Sequence, residues 1–317
     1  MASVDRASLL HLLPEPAVGA VERIEPIRAG LSGAGVYAVT ASRGQFVLRV
    51  QPRQLDEASF AQQLLILRRA SAAAVAPAVV HVDEDARAVV SVRIAGVPLA
   101  AALADPAMRG AVLASVVDGL RTLHALDVSG VVARDPVPFA RAAWEACRHR
   151  PGFPAWASSL APTLDELASV LERDQRRVVS HNDINPGNFL WDGTRAWLVD
   201  WEVAGLGHPY YDLAALALFL RLDDDAIFAL AARHDGTLLD QSSRATFRAL
   251  RRLVGLVSGL TFLGLAEDLE TLTAATPADA PTLGDCYRAL REGQLDVQSP
   301  RWHAMMGLAL LASAYNK

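Results

Sequence analysis

The residues best suited to chemistry form the run His181-Asn-Asp-Ile-Asn-Pro-Gly-Asn188-Phe-Leu-Trp, followed by Leu198-Val-Asp200-Trp-Glu202. Asp183 and Asn188 stand five residues apart, and Asp200 follows twelve residues later. The apolar residues 189–191 and 196–199 read as a hairpin across the turn Asp192-Gly193, which would gather all three side chains. Phosphoryl transfer needs this assortment. One carboxylate orients an attacking hydroxyl and accepts its proton, while a second carboxylate and an amide oxygen hold magnesium against phosphate oxygens. An Asp or Asn taken singly is more simply a turn former or helix cap, so the weight lies on the set.

These segments resemble the catalytic and metal-binding motifs of the aminoglycoside phosphotransferase and choline kinase superfamily, distant relatives of protein kinases. The resemblance implies that Asp183 is the catalytic base, Asn188 a metal ligand and Asp200 the principal metal ligand. The HND opening and DWE ending, the latter carrying Glu202, stand closer to choline-kinase-like members. His181 matches a loop-supporting position. Asp212, in His208-Pro-Tyr-Tyr-Asp, matches a brace beneath the catalytic loop, or is a helix N-terminal acid favoured by the backbone N–H groups there.

The same resemblance locates the nucleotide side. Gly30-Leu-Ser-Gly-Ala-Gly35 lies between two strand-like segments, where a phosphate-covering loop is expected, with Ser32 and Gly33 facing the phosphates. Arg49, in Gln45-Phe-Val-Leu-Arg-Val, takes the strand position where many kinases place a phosphate-binding Lys; its planar fork suits the α- and β-phosphates. A glutamate from the next helix should pair with Arg49. Glu57 is the nearest fit, with Gln62 or Gln63 as uncharged replacements. Backbone groups of residues 92–94, Val92 and Ile94 among them, are expected to read adenine. ATP and Mg2+ are therefore the expected cofactors.

The elements that must position these groups follow from periodicity. Residues 21–27, 36–40 and 45–50 read as an antiparallel meander, and residues 78–82 and 88–94 as two further strands. A helix over residues 55–74 separates them, stopped by Pro77. From Gly96 onward the chain is helical over residues 99–103, 108–126, 139–148, 211–222, 226–232, 244–265 and 302–314, broken by a short strand at 178–180. His124 falls among these as a core histidine. The expected fold class is α+β with two lobes, and the resemblance implies a bilobal protein-kinase-like fold with a small antiparallel β-rich N-lobe, residues 1–93, and a larger mainly helical C-lobe, residues 94–317.

Composition agrees. The chain has 317 residues, 52% of them hydrophobic, which excludes wholesale disorder. A net charge of -5 and the lack of a long basic run argue against a nucleic-acid partner. No apolar stretch reaches the roughly 20 residues of a membrane span. The N-terminus lacks a signal-like pattern, so a cytoplasmic location is expected. Two cysteines, Cys147 and Cys286, make neither a disulfide framework nor a metal motif.

The expected activity is ATP-dependent transfer of the γ-phosphate to a hydroxyl of a small, cationic acceptor, aminoglycoside-like or choline/ethanolamine-like. A non-catalytic nucleotide-binding module of the same fold is the alternative. No protein partner can be inferred. Trp201, Tyr210, Tyr211 and Trp302 offer aromatic faces for a cation, and Glu202 and Asp223 to Asp225 offer charge; core packing and helix capping are the simpler readings of both groups.

Overall fold

The computed structural model describes residues 7–27, 33–270 and 274–315. Two short helices, α1 (Ala7–Leu10) and α2 (Glu15–Val18), precede the strands β1 (Val21–Pro26), β2 (Gly35–Ala41) and β3 (Gly44–Val50). Next come α3 (Glu57–Ala72), β4 (Val79–Asp83) and β5 (Ala88–Val92). The five strands form one antiparallel sheet in the order β1-β2-β3-β5-β4. Alternation decides its faces: Phe46, Leu48 and Val90 turn toward Leu9, Leu12, Leu13 and Val18 from the two N-terminal helices. Val89 faces the other way, against Phe60 and Leu64 of α3.

Helix α3 begins where Asp56 Oδ1 accepts the Ser59 N–H at 2.8 Å, an N-cap that fixes the entry of the chain. It ends two residues earlier than the sequence suggests. Ala74 adopts the left-handed conformation, φ 54°, and the Val75 N–H returns to Ala70 O at 2.9 Å, so a C-terminal cap stops the helix before Pro77 can.

The chain continues through β6 (Val97–Pro98), α4 (Leu99–Ala102), α5 (Arg109–His124), α6 (Pro136–Cys147), α7 (Ala161–Arg173) and β7 (Val178–Ser180). A hairpin of β8 (Phe189–Trp191) and β9 (Ala196–Leu198) follows, then β10 (Gly205–Gly207). Helices α8 (Pro209–Phe219), α9 (Asp224–Asp235), α10 (Gln241–Leu265), α11 (Leu283–Arg291) and α12 (Pro300–Tyr315) complete it. The antiparallel N-terminal sheet and mainly helical remainder are the α+β arrangement expected. Helices α7 and α11 were not anticipated, although Thr282 and Asp285 carry the reciprocal capping box that marks the start of α11. His124 is buried in α5, as a core histidine should be.

Two compact units emerge. One comprises the residues up to Val132 with Gly187–Gly205, so the β8–β9 hairpin groups with the N-terminal sheet; the other comprises Ala133–Pro186 and the chain from Leu206 onward. In the first, β8 pairs with both β6 and β9. In the second, α10 is the central helix. Its Gly259 lies where an added Cβ would meet Leu311 at 2.9 Å, which lets α12 approach closely.

At the start of α8, His208 serves as N-cap: its Nδ1 accepts the Tyr210 N–H at 3.1 Å, and its Nε2 faces Asp174 Oδ2 at 3.0 Å. Both contacts suit the neutral imidazole protonated on Nε2. Burial lowers the His208 pKa to about 4, against the opposing pull of Asp174. Because the folded pKa lies below the unfolded one, the stability contributed is whole above about pH 6.5 and is lost as pH falls toward 4. Between pH 7 and pH 5 the wild type should lose roughly 2 kcal/mol through this group. Urea titrations should show that increment absent from His208→Asn, which caps without titrating.

Candidate active site

The loop that carries Asp183 begins where β7 ends, in the second unit. Ser180 and His181 are fully buried, and Asn182 takes the left-handed conformation, φ 62°, which turns the chain sharply toward Asp183. Asp212, in the first turn of α8 and fully buried, accepts two backbone N–H groups from this loop. They are His181 N–H to Oδ2 and Asn182 N–H to Oδ1, both at 2.9 Å. The two readings of Asp212, brace and helix N-terminal acid, are thus one arrangement.

Behind the loop, Tyr211 is buried, and its phenol pKa is pushed up by burial first, then by the Asp212 and Asp183 carboxylates. Gly207 is required here, since a Cβ would stand 2.6 Å from Asn182 Oδ1. Asp183 itself is half-buried, and its Oδ1 accepts from Asn185 Nδ2 at 3.2 Å.

Substituting the brace should be costly. In Asp212→Asn an amide nitrogen replaces one acceptor and confronts a backbone N–H, leaving a buried donor unsatisfied at about 1–3 kcal/mol. The denaturation midpoint of Asp212→Asn should fall accordingly, and Asp212→Ala, which orphans both donors, should fall further.

The first unit holds Asn188 and Asp200. Asn188 immediately precedes β8, and its carbonyl accepts the Val199 N–H at 3.0 Å, one residue before Asp200. The hairpin register, Phe189 opposite Leu198, therefore sets both residues at its open end. Its turn is tied by Asp192, whose Oδ1 accepts from the Thr194 and Arg195 N–H groups.

Asp200 is left-handed as well, φ 68°, a backbone state that Asp and Asn tolerate better than most residues. Its Oδ1 is shielded from solvent and receives no aligned hydrogen bond. Arg49 Nη2, from β3, stands 2.8 Å from that oxygen and 2.8 Å from Glu202 Oε2. By direction it donates to Glu202. The partner of Arg49 is therefore not Glu57, which lies exposed in the first turn of α3, where the helix N-terminus favours an acid.

Gln62 and Gln63 are both buried and have other duties. Gln62 pairs its side-chain amide with the Val132 backbone, accepting its N–H at 3.1 Å and donating to its carbonyl at 3.4 Å. Gln63 donates to Glu202 O at 3.1 Å and accepts from Gln51 at the same distance.

Of the expected nucleotide-binding residues, Ser32 lies outside the described residues, as does Gly30. Gly33 is exposed, with φ 71° and open space where a side chain would stand. The Val92 N–H is committed to Ala78 O at 2.8 Å, whereas Ile94 lies beyond the end of β5, outside the ladder. The aromatic candidates Trp201, Tyr210, Tyr211 and Trp302 are buried, Asp223 caps α9 through the Ala226 N–H, and Asp224 pairs with Arg248.

Among the described residues no group of three or more His, Cys, Asp or Glu converges into a metal cage. What exists is a buried carboxylate oxygen without an aligned donor, on a hairpin shared with an amide. That donor set fits Mg2+, which is bound through one or two protein groups plus phosphate oxygens and water.

A profile of the Phosphotransferase enzyme family matches residues 23–253. Solved structures share the fold. A choline/ethanolamine kinase family protein from Mesorhizobium loti is 19% identical over 98% of this chain and 93% of its own, with a TM-score of 0.72. Choline kinase LicA from Streptococcus pneumoniae is 16% identical over 97% of both chains, TM-score 0.62. Aminoglycoside-3'-phosphotransferase of type VIII is 22% identical over 78% of this chain and 98% of its own, TM-score 0.56. Among curated proteins, acyl-CoA dehydrogenase family member 11 of Rattus norvegicus is 28% identical over 124 residues, 36% of this chain. The match spans only 16% of that protein's length.

Proposed function

Since the chain belongs to the Phosphotransferase enzyme family, we propose that it is a small-molecule kinase that transfers the γ-phosphate of ATP to a hydroxyl of a small cationic acceptor. The observation that carries this reading is Asp200: a partly exposed carboxylate held in a left-handed backbone, on the hairpin that also bears Asn188, with one oxygen shielded from solvent and lacking an aligned donor. Asn188 and Asp200 would hold Mg2+, which supplies positive charge to the phosphate oxygens when bound.

Asp183 orients the acceptor hydroxyl and takes its proton as the oxygen bonds to the γ-phosphorus and the bond to the ADP oxygen breaks. Arg49 and Gly33 serve the nucleotide phosphates. Ser32 is assigned to the same phosphates, and the backbone at Val92 and Ile94 to adenine. The acceptor class is drawn from what the structural relatives are named for, choline, ethanolamine and aminoglycosides.

The test is ADP release with ATP, Mg2+ and a panel of choline, ethanolamine and aminoglycosides, beside thermal shifts with ATP with and without Mg2+. Acceptor-dependent ADP release supports the reading. Mg2+-dependent ATP binding without release by any acceptor, and with no phosphorylated product by mass spectrometry, would mark a binding module instead.

A further inference from the structure

The carboxylate that engages Arg49 comes from the segment after β9, and α3 contributes an amide where a glutamate was expected. Gln63, buried in α3, donates Nε2–H to the Glu202 carbonyl at 3.1 Å. A carbonyl only accepts, so the orientation of the amide is determined and Oε1 is left to accept from Gln51 Nε2 at 3.1 Å. Gln51 stands two residues beyond Arg49, and its N–H prolongs the sheet ladder by donating to Arg87 O. Arg49 and Gln51 thus share a face of the extended chain. The relay has one direction, from Gln51 to Gln63 to the Glu202 peptide, and each bond polarises the next.

Glu202 Oε2 and Asp200 Oδ1 compete for one guanidinium nitrogen, each at 2.8 Å from Arg49 Nη2. Donation goes to Glu202, which leaves Asp200 Oδ1 without an aligned donor. The balance depends on where the Glu202 backbone is held.

We propose that Gln63 is a positioning residue for the metal-binding segment: by anchoring the Glu202 carbonyl it keeps the Arg49 hydrogen bond on Glu202, so that Arg49, although 2.8 Å from Asp200 Oδ1, is shared between the two carboxylates and Asp200 stays available to a divalent cation. The proposal rests on the reading of Asp200 as a metal ligand. Without the anchor, the Arg49 hydrogen bond passes from Glu202 to Asp200, already in contact with the same nitrogen, and competes with the cation.

Mn2+ alone, titrated against the full chain and followed by the electron paramagnetic resonance of the free ion, reads this without turnover. Gln63→Met, which keeps the volume and removes both hydrogen bonds, should weaken Mn2+ binding roughly tenfold, as should Glu202→Gln. The double variant should be no weaker than either alone, because both act through one contact. Adding Arg49→Met to Gln63→Met should recover most of the loss, since the competing cation is gone. That rescue separates positioning from a merely structural role.

An Mn2+ affinity in Gln63→Met equal to wild type, multiplicative losses in the double variant, or no recovery with Arg49→Met would each overturn the proposal. If Gln63→Met fails to fold, Gln51→Met tests the same relay from its outer end, with the same direction expected and the same overturning result. Wild-type Mn2+ binding that Asp200→Asn leaves unchanged would instead remove the metal-ligand reading itself.

Discussion

Asp183→Asn should reduce turnover by a factor of about 10³, within the 10²–10⁴ range typical of a positioned general base, while leaving the affinity for Mg-ATP near that of wild type. The substitution is nearly isosteric, and Oδ1 of the new amide can still accept from Asn185 Nδ2, which reaches Asp183 Oδ1 at 3.2 Å. In the proposed role, what is removed is the acceptor for the hydroxyl proton and the negative charge that orients the hydroxyl. The loss should therefore fall on kcat, with the KM for ATP almost unchanged.

The loop itself should persist, because its conformation is fixed by Asp212 and by the left-handed Asn182 rather than by the Asp183 carboxylate. Turnover by Asp183→Asn within threefold of wild type, with an identified acceptor, would exclude Asp183 as the base. Loss of nucleotide binding in the same variant would instead point to a structural part for this residue.

The contrast between Asp183 and Arg49 shows what sequence can and cannot carry. Asp183, Asn188 and Asp200 fall within one short stretch whose loop, strand and turn signals are local. The hairpin register that places Asn188 beside Val199 follows from the same apolar residues that identify the strands. Arg49 is different, because its carboxylate partner lies 153 residues away. No periodicity links two such positions, and proximity in sequence favours Glu57, which instead occupies the first turn of α3.

The part of Gln63 is equally silent from sequence. Side-chain amides that bind backbone carbonyls leave no pattern, since the partner contributes only its peptide. Helix α7 is a case where a signal existed, for Leu164, Leu167 and Leu171 recur at helical spacing and are all buried.

Asp200→Asn should be the other severe substitution, and the choice of replacement matters. At φ 68°, an alanine would add backbone strain to the loss of charge, confusing the two effects, whereas Asn accepts the left-handed state and retains the size of the side chain. Removing the charge takes away one of the two carboxylates beside Arg49 but leaves Glu202, to which Arg49 donates. Both groups of the Arg49–Asp200 pair are partly exposed, so the unliganded protein should change in stability by no more than about 1 kcal/mol.

The effect on catalysis should be far larger. A carboxylate that supports the charge of the transferring phosphoryl group contributes on the order of 10²–10³ in rate, and here its loss also weakens cation binding. The thermal shift with ATP alone should match wild type, and the additional shift on adding Mg2+ should vanish. A variant that keeps the Mg2+-dependent shift would assign the metal to other groups, and Arg49 with Glu202 would then serve the nucleotide without Asp200.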